Sequence, residues 1–274
     1  MNDRYSHQVT FWGPEKQALL SRKTVVVVGV GSLGSVVAEL LTRAGIGKLV
    51  LIDHDIVESH NLQRQSLYTE ADVNKLKAEV AEEKLHQINH EVSIKSYAIH
   101  LDETNTELLQ GDIVFDCTDN AETRAVINHY CHTKIPWIYC SIAGSTGMVL
   151  PFTDSFCFHC LFGQSGLSCQ TEGILNTTVT ATASLQVSEG LKILLGEESE
   201  KNLLVLDVWK NTLEYIKVKQ NPNCLFCQRK KEIEQKKPFT FVIQKCASQN
   251  RFIIKPNQRI ELDLEQIKER YEVL

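Results

Sequence analysis

The residues Gly29-Val30-Gly31-Ser32-Leu33-Gly34 form a GxGxxG turn between a β-branched run and a segment of helical periodicity. Glycines placed there allow a tight turn and a close approach of backbone to phosphate. The helix that follows offers N–H groups and the positive end of its dipole. Asp53 ends the next apolar run, at the spacing of a carboxylate that accepts hydrogen bonds from ribose hydroxyls. Taken alone, these features favour a dinucleotide, and an NAD-dependent oxidoreductase is one reading of them.

The residues beyond Asp53 change that reading. Arg64 follows within Asn61-Leu62-Gln63-Arg64-Gln65, and Lys77 lies on a segment of helical spacing. A dinucleotide's pyrophosphate is served largely by backbone amides. A triphosphate about to lose pyrophosphate needs fixed cations on its oxygens and a metal ion to neutralise developing charge. Asp116-Cys117-Thr118-Asp119-Asn120, at the end of another apolar run, supplies a carboxylate suited to magnesium. A lone lysine is ordinarily a solvated surface group. Cations and a carboxylate combined with the glycine turn point instead to ATP.

The cysteines suggest a second kind of chemistry. Cys157-Phe158-His159-Cys160 and Cys224-Leu225-Phe226-Cys227 are Cys-x-x-Cys pairs, each able to place its thiolates on one tight turn. Four such thiolates match a closed tetrahedral zinc site. Unrelated cysteines would not repeat that spacing, and neither pair opens a helix in a thioredoxin-like context. His159, inside the first turn, is a weaker ligand candidate than the thiolates. Cys169 sits in a polar segment over residues 163–170 that reads as a loop over the nucleotide. Cys117 and Cys140 lie in apolar strand contexts and read as small core residues. Cys131 and Cys246 belong to no motif.

The elements that must position these groups alternate. Strands are expected over 24–30, 48–53, 92–99, 112–117 and 137–142, and helices over 33–44, 72–89, 120–132 and 179–195. A hairpin is expected from 203–208 and 213–218. This order implies an α/β fold, a doubly wound Rossmann-like, mostly parallel sheet. Residues 1–23 read as a polar arm with a short helix starting near Pro14, and residues 24–227 as the ATP-binding domain with its zinc-tied end. Residues 228–274 read as a charged linker and a small strand–strand–helix appendage. The 274 residues carry a formal net charge of −5, so nothing suggests binding to nucleic acid or an anionic membrane. Nine cysteines behind a polar N-terminus suit metal ligands or reactive thiols in the cytoplasm.

From Arg4 to Cys227 the chain resembles the ThiF/HesA/MoeB family of ubiquitin-activating-type enzymes. The specific stretches are Asn61-Leu62-Gln63-Arg64-Gln65 (NLxRQ) and Asp116 to Arg124 (DCTDNxxTR). The resemblance implies that Asp53 binds ribose, that Asn61, Arg64 and Lys77 bind phosphates beside Gly29, Gly31, Gly34, Gln65 and Asn120, and that Asp119 holds magnesium. Lys75 is a neighbouring alternative, but Asn74-Lys75-Leu76-Lys77-Ala78 aligns best with the family lysine at Lys77. The four paired cysteines agree with a family zinc site. Cys169 matches a position that carries a thioester, acyl-disulfide or sulfur-transfer cysteine in some members.

One departure is at the N-terminus, where Arg4-Tyr5-Ser6-His7-Gln8 stands for the family's RYxRQ. Histidine replaces the arginine that reaches a neighbouring subunit's ATP in a homodimer, and Arg4 is the candidate substitute. The activity implied is ATP-dependent adenylation of the C-terminal glycine carboxylate of a ubiquitin-like sulfur-carrier protein ending in Gly-Gly. A cysteine desulfurase or rhodanese would donate the sulfur, and the pathway would be of the thiamine, molybdopterin or tRNA-thiolation type. Adenylation of a small-molecule or peptide carboxylate is the alternative within the enzyme class. A non-catalytic scaffold, prompted by His7, is a third reading.

Overall fold

The computed structural model describes residues 3–153, 156–162, 173–228, 241–245 and 252–256. The chain divides into two compact units, Met1–Ile233 and Glu234–Leu274. The first is built on an eight-stranded sheet of β1 (Thr24–Val28), β2 (Lys48–Ile52), β3 (Ser93–Tyr97), β4 (Ile113–Asp116), β5 (Trp137–Ala143), β6 (Thr146–Phe152), β7 (Leu203–Asp207) and β8 (Thr212–Ile216). Their spatial order is β3-β2-β1-β4-β5-β6-β7-β8. The strands from β3 to β5 pair in parallel, and those from β5 to β8 pair antiparallel.

The main helices are α1 (Ser6–Trp12), α2 (Pro14–Leu20), α3 (Ser32–Ala44), α4 (Lys77–Ile88), α5 (Ala121–Cys131), α6 (Phe158–Phe162), α7 (Asn176–Leu194) and α8 (Leu225–Gln228). Alternation along β1 divides the core. Val25 and Val27 pack in a cluster with Val37 and Leu41 of α3, Leu85 of α4 and Val187 of α7. Val26 and Val28 pack in a second cluster with Ile127 of α5 and Trp137 of β5. A strand buried on both faces needs a continuous apolar run, which is what Val25 to Val28 provides. Among the described residues no helix is long and apolar enough to cross a membrane. In the second unit, β9 (Phe241–Lys245) and β10 (Phe252–Pro256) pair antiparallel. The helix expected near residues 264–269 lies outside the described residues.

The structure departs from the sequence expectations at several elements. The arm contains a helix, α1, before Pro14. Gly13, with φ +88°, separates it from α2. The arm is pinned to its own chain: the Gln8 amide donates to Gln17 Oε1 and to the Ala44 carbonyl, both at 2.7 Å. The Arg4 guanidinium donates to the Ile88 carbonyl at 2.7 Å, at the end of α4. The helix expected over 72–89 begins only at Lys77. Asn74 is left-handed at φ 71°, and Leu76 forms a β-bridge with Ile56, so the backbone N-terminal to Lys77 is tied elsewhere. Strand β6 was not anticipated; Gly144, at φ 58°, turns the chain straight back along β5.

Candidate nucleotide and metal sites

The first site lies at the carboxyl ends of β1, β2 and β4, where strand order reverses around β1 and helices leave on both faces, the usual place for a ligand in a doubly wound sheet. A cavity of about 440 Å³ opens there, within the range of small-molecule sites. Its wall includes Gly29, Gly31, Asp53, Asn61, Arg64, Gln65, Lys77, Asp119 and Asn120. These come from loops far apart in sequence.

The glycine turn is shaped by contacts no other residue would permit. Gly29 has φ +83°, and a Cβ there would stand 2.7 Å from the Cys117 carbonyl oxygen. A Cβ on Gly34 would overlap the Gly29 carbonyl, so Gly34 lies beneath the turn rather than on the cavity wall. Gly31 caps α3 without a side-chain hydrogen bond, leaving that helix start facing the cavity. The buried Tyr68 hydroxyl donates to the Val30 carbonyl at 2.7 Å and to the Lys77 carbonyl at 3.2 Å, joining the turn to the start of α4.

Asp53 is buried at the end of β2. Its carboxylate accepts the Val30 N–H at 2.6 Å and the Asp55 N–H at 2.7 Å. Burial pushes its pKa up, against the pull of the Lys77 charge. Lys77, also buried, pairs with Asp55 at 3.2 Å. Burial alone would lower the Lys77 pKa, but the charges of Asp53 and Asp55 outweigh it and the net shift is upward. The ammonium therefore stays protonated. Lys75 is exposed and pairs with Asp72 at 3.7 Å, off the cavity wall, so of the two lysines only Lys77 reaches the site.

Asn61 is buried in a short turn, Ser59–Asn61, where its Oδ1 accepts the Glu58 N–H at 3.1 Å. The same turn presents Arg64, whose Nη1 donates to the His60 carbonyl at 3.0 Å. Burial lowers the Arg64 pKa and Asp119 opposes that shift; a guanidinium stays charged regardless. Arg64 Nε and Gln65 Oε1 are both buried without a hydrogen-bond partner. Buried polar atoms rarely remain so in a native protein. Thr42 Oγ1 and Asn128 Nδ2, away from the cavity wall, are in the same condition. What the cavity offers a nucleoside triphosphate is the Arg64 guanidinium, the Lys77 ammonium and the start of α3 on one wall.

Asp119 is exposed on the cavity rim. Asn120 lines the wall while its Oδ1 caps α5 by accepting the Thr123 N–H at 2.8 Å. Asp116, in contrast, is fully buried in an ion pair with Arg124, Nε to Oδ2 at 3.1 Å. Within this motif only Asp119 is disposed to meet a cation, and magnesium commonly binds through one carboxylate plus substrate phosphates.

Sequence reasoning missed further wall residues: His54, His100, Arg124, Ser141 and Ile174. The rings of His54 and His100 meet edge to face at 4.9 Å. Arg124 belongs to a motif and His54 directly follows Asp53, so both carried a signal in the sequence; His100, Ser141 and Ile174 reach the cavity through tertiary placement. His7 is exposed, and neither it nor Arg4 lines this cavity. Cys169 lies outside the described residues.

The second site joins Cys157 and Cys160, on the approach to and within α6, with Cys224 and Cys227 around α8. Their sulfurs lie within 4.8 Å of one another. Adjacent pairs are separated by 3.7 Å (Cys157–Cys160 and Cys157–Cys224), 3.6 Å (Cys160–Cys227) and 3.3 Å (Cys227–Cys157). Zinc–sulfur bonds of about 2.3 Å place tetrahedral sulfurs about 3.8 Å apart, so this cluster could hold zinc. The Phe158 N–H donates to Asn128 Oδ1 at 2.9 Å, fixing the first pair to α5. Phe226, between the second pair, meets the rings of His129, His132 and His159 at 5.7, 5.4 and 5.1 Å. His159 thus packs on Phe226, and the metal-ligand cluster is the four sulfurs alone.

Residues 5–226 match the ThiF family. Over 224 residues the chain is 40% identical to the sulfur carrier protein ThiS adenylyltransferase of Bacillus subtilis, covering 77% of this chain and 66% of that protein. It is 34% identical over 237 residues to the molybdopterin-synthase adenylyltransferase of Salmonella typhimurium, covering 82% of this chain and 95% of that one. The crystal structure of E. coli MccB with ATP superposes with a TM-score of 0.73 at 23% identity, over 83% of this chain and 74% of that one, a likeness of fold. With the match spanning the whole cavity wall, Cys157, Cys160 and Cys224, the chain belongs to the ThiF family.

Proposed function

We propose that this protein adenylates the C-terminal glycine carboxylate of a ubiquitin-like sulfur-carrier protein at the expense of ATP. The observation that supports this most is the convergence of Arg64, Lys77 and Asp119 on one cavity with the glycine turn. Relatives named as adenylyltransferases of a sulfur carrier and of molybdopterin synthase point the same way. In this reading a carboxylate oxygen of the carrier attacks the α-phosphorus of ATP. A new P–O bond forms as the bond to the β,γ-pyrophosphate breaks, and pyrophosphate leaves. The attacking carboxylate is already ionised, so no general base is needed.

Arg64 and Lys77 bind phosphate oxygens, with Asn61, Gln65 and the Gly31 end of α3, and Asp53 accepts ribose hydroxyls. Fixed charges of this kind act most strongly in a preorganised, partly dry site. Asp119 would hold magnesium, which supplies neutralisation of phosphate charge. Cys157, Cys160, Cys224 and Cys227 would hold a structural zinc. Cys169 is assigned the later step: its thiolate attacks the acyl carbon of the carrier adenylate, a thioester C–S bond forms as the bond to the phosphate oxygen breaks, and AMP leaves. It follows that Cys169→Ala leaves adenylation intact and abolishes any covalent carrier adduct. A homodimer in the cytoplasm, with the arm around His7 directed to the neighbouring subunit, and a desulfurase or rhodanese as sulfur donor complete the proposal.

The test is ATP–pyrophosphate exchange in the presence of purified carriers ending in Gly-Gly. Exchange that requires the intact carrier tail supports the reading. Exchange driven by a peptide or a small carboxylate, with carriers inert, replaces it with the alternative substrate class. Absence of exchange alongside reduction of NAD would sink adenylation altogether.

A further inference from the structure

Arg124 has no place in the chemistry above, yet it is among the largest fully buried side chains and lies beside the carboxylate assigned to magnesium. It stands near the start of α5, and its guanidinium ties the end of β4 and the turn after it to β5. Nε pairs with Asp116 Oδ2 at the end of β4. Nη2 donates to the Thr118 carbonyl and, at 3.2 Å, to the Cys140 carbonyl of β5. The guanidinium carbon lies 4.9 Å from the centre of the Tyr139 ring.

The other oxygen of Asp116 holds the same turn from within. Its Oδ1 accepts the Thr118 N–H at 3.0 Å and the Thr118 hydroxyl at 2.6 Å. Asn120 is fixed on the far side by its cap on Thr123. Asp119 is therefore the one residue of this turn with both neighbours held and its own carboxylate exposed on the cavity. Electrostatics favour the same division. The charges of Asp116 and Arg124 cancel within the wall, so Asp119 remains the net anionic group of the turn. A planar, forked guanidinium can serve a carboxylate and two carbonyls at fixed angles, which an ammonium cannot.

We propose that Arg124, with Asp116, is a positioning residue that sets the Asp119 carboxylate for the divalent cation accompanying ATP. This inference rests on the nucleotide reading of the cavity. Its test is calorimetric titration of ATP into the whole protein, without divalent ions and across a series of magnesium concentrations. Arg124→Lys and Asp116→Asn are the variants, with Asp119→Asn as the reference for a lost ligand. Thermal unfolding identifies any variant that fails to fold, and Asp116→Asn, which keeps the shape and the Thr118 contacts, serves if Arg124→Lys does not.

The expected result is magnesium-free affinity for ATP within about twofold of wild type in both variants. The magnesium concentration for half-maximal enhancement should rise about tenfold, as in Asp119→Asn. Folded variants with a wild-type magnesium response overturn the proposal. So does an equal loss of affinity with and without magnesium, which would make Arg124 a general support of the cavity. Wild-type protein that binds no ATP in either condition overturns the nucleotide reading, and this inference with it.

Discussion

The nucleotide cavity lies at the carboxyl ends of β1, β2 and β4, whereas the cysteine cluster follows β6 beyond Phe152, which pairs with the first residue of β5. The first is assembled from loops widely separated in sequence and leaves a cavity of about 440 Å³ among charged and polar side chains. The second is assembled from two short motifs whose sulfurs stand close enough to share one ion. A ligand site keeps polar groups open so that the ligand completes them. A structural metal site has no such reserve, because its ligands are drawn together only if the ion stays. Losing the ligand should thus cost one region its activity, and losing the metal should cost the other its fold.

The largest effect expected from breaking that contrast is on the sulfur side. Structural zinc in small domains carries apparent binding free energies on the order of 10 kcal/mol. Freshly purified reduced protein should hold one zinc per chain by metal analysis. Chelation, or Cys157→Ser, should lower the unfolding temperature markedly before ATP binding in the cold is affected. Protein with no metal and four freely titrating thiols at these positions would remove the distinction between the regions.

On the cavity side, Arg64→Ala and Lys77→Ala should each lose roughly 3 kcal/mol of transition-state stabilisation, about a hundredfold in pyrophosphate exchange. The unfolding temperature of Arg64→Ala should stay near that of wild type, whereas Lys77→Ala, which strips a buried ion pair of its cation, should also lose stability. Lys77 sharpens the comparison. Its removal leaves Asp53 buried beside Asp55 without their shared cation, so Lys77→Ala should also shift the acid limb of ATP binding upward in pH, while Arg64→Ala should not. Equal pH profiles for the two variants would show that Asp53 does not depend on Lys77.

A smaller effect concerns the support beneath Lys77. Asp72 accepts the N–H and hydroxyl of Thr69, both at 2.8 Å, and pairs with Lys84 on α4. Burial works to raise its pKa, but Lys84 and the Thr69 bonds prevail and hold it at about 2, below its ordinary 3.8. A depressed carboxylate stabilises the fold above its unfolded pKa and loses that contribution as pH falls toward the folded one. The window is therefore about pH 4 down to about pH 2. Asp72→Asn should lower neutral-pH stability by up to about 2 kcal/mol and flatten its decline across that window in denaturant titrations. Wild-type slope in the variant would place the acid sensitivity elsewhere.

The smallest effect is expected at His7. It is exposed and outside its own cavity, so His7→Arg should leave stability unchanged and keep or modestly raise exchange. A clear loss of exchange would show that the histidine contributes something an arginine does not. Deleting the arm is a blunter probe, because Gln8 bonds to Gln17 and Ala44 within its own chain.

Legibility differed from element to element for physical reasons. The run Val25 to Val28 could be read as a buried strand because burial on both faces demands unbroken apolar character. The glycine turn was readable because Gly29 needs a positive φ and Gly34 meets a carbonyl, conditions that restrict residue type. The cysteine pairs were readable because both ligands of each pair sit on one turn. By contrast, α1 is a seven-residue helix with no fully buried residue to mark an apolar face, and β6 is recognised as a strand by its pairing with β5 and β7. The late start of α4 depends on the left-handed Asn74 and the Leu76 bridge, which no periodicity records.

Local sequence thus determined which residues had the chemistry, since glycine torsions, thiolate spacing and the order of apolar runs act over a few residues. Tertiary structure decided their assignments. It turned Lys77, the lysine that the family alignment favours, into the cavity and Lys75 toward Asp72. It divided Asp116 from Asp119, burying the first with Arg124 and leaving the second exposed, although the two lie in one short motif. It brought His54 and His100 together across two strand ends. Such choices depend on which chain segments pack side by side, and the free energy that selects them comes from burial and charge pairing between residues remote in sequence.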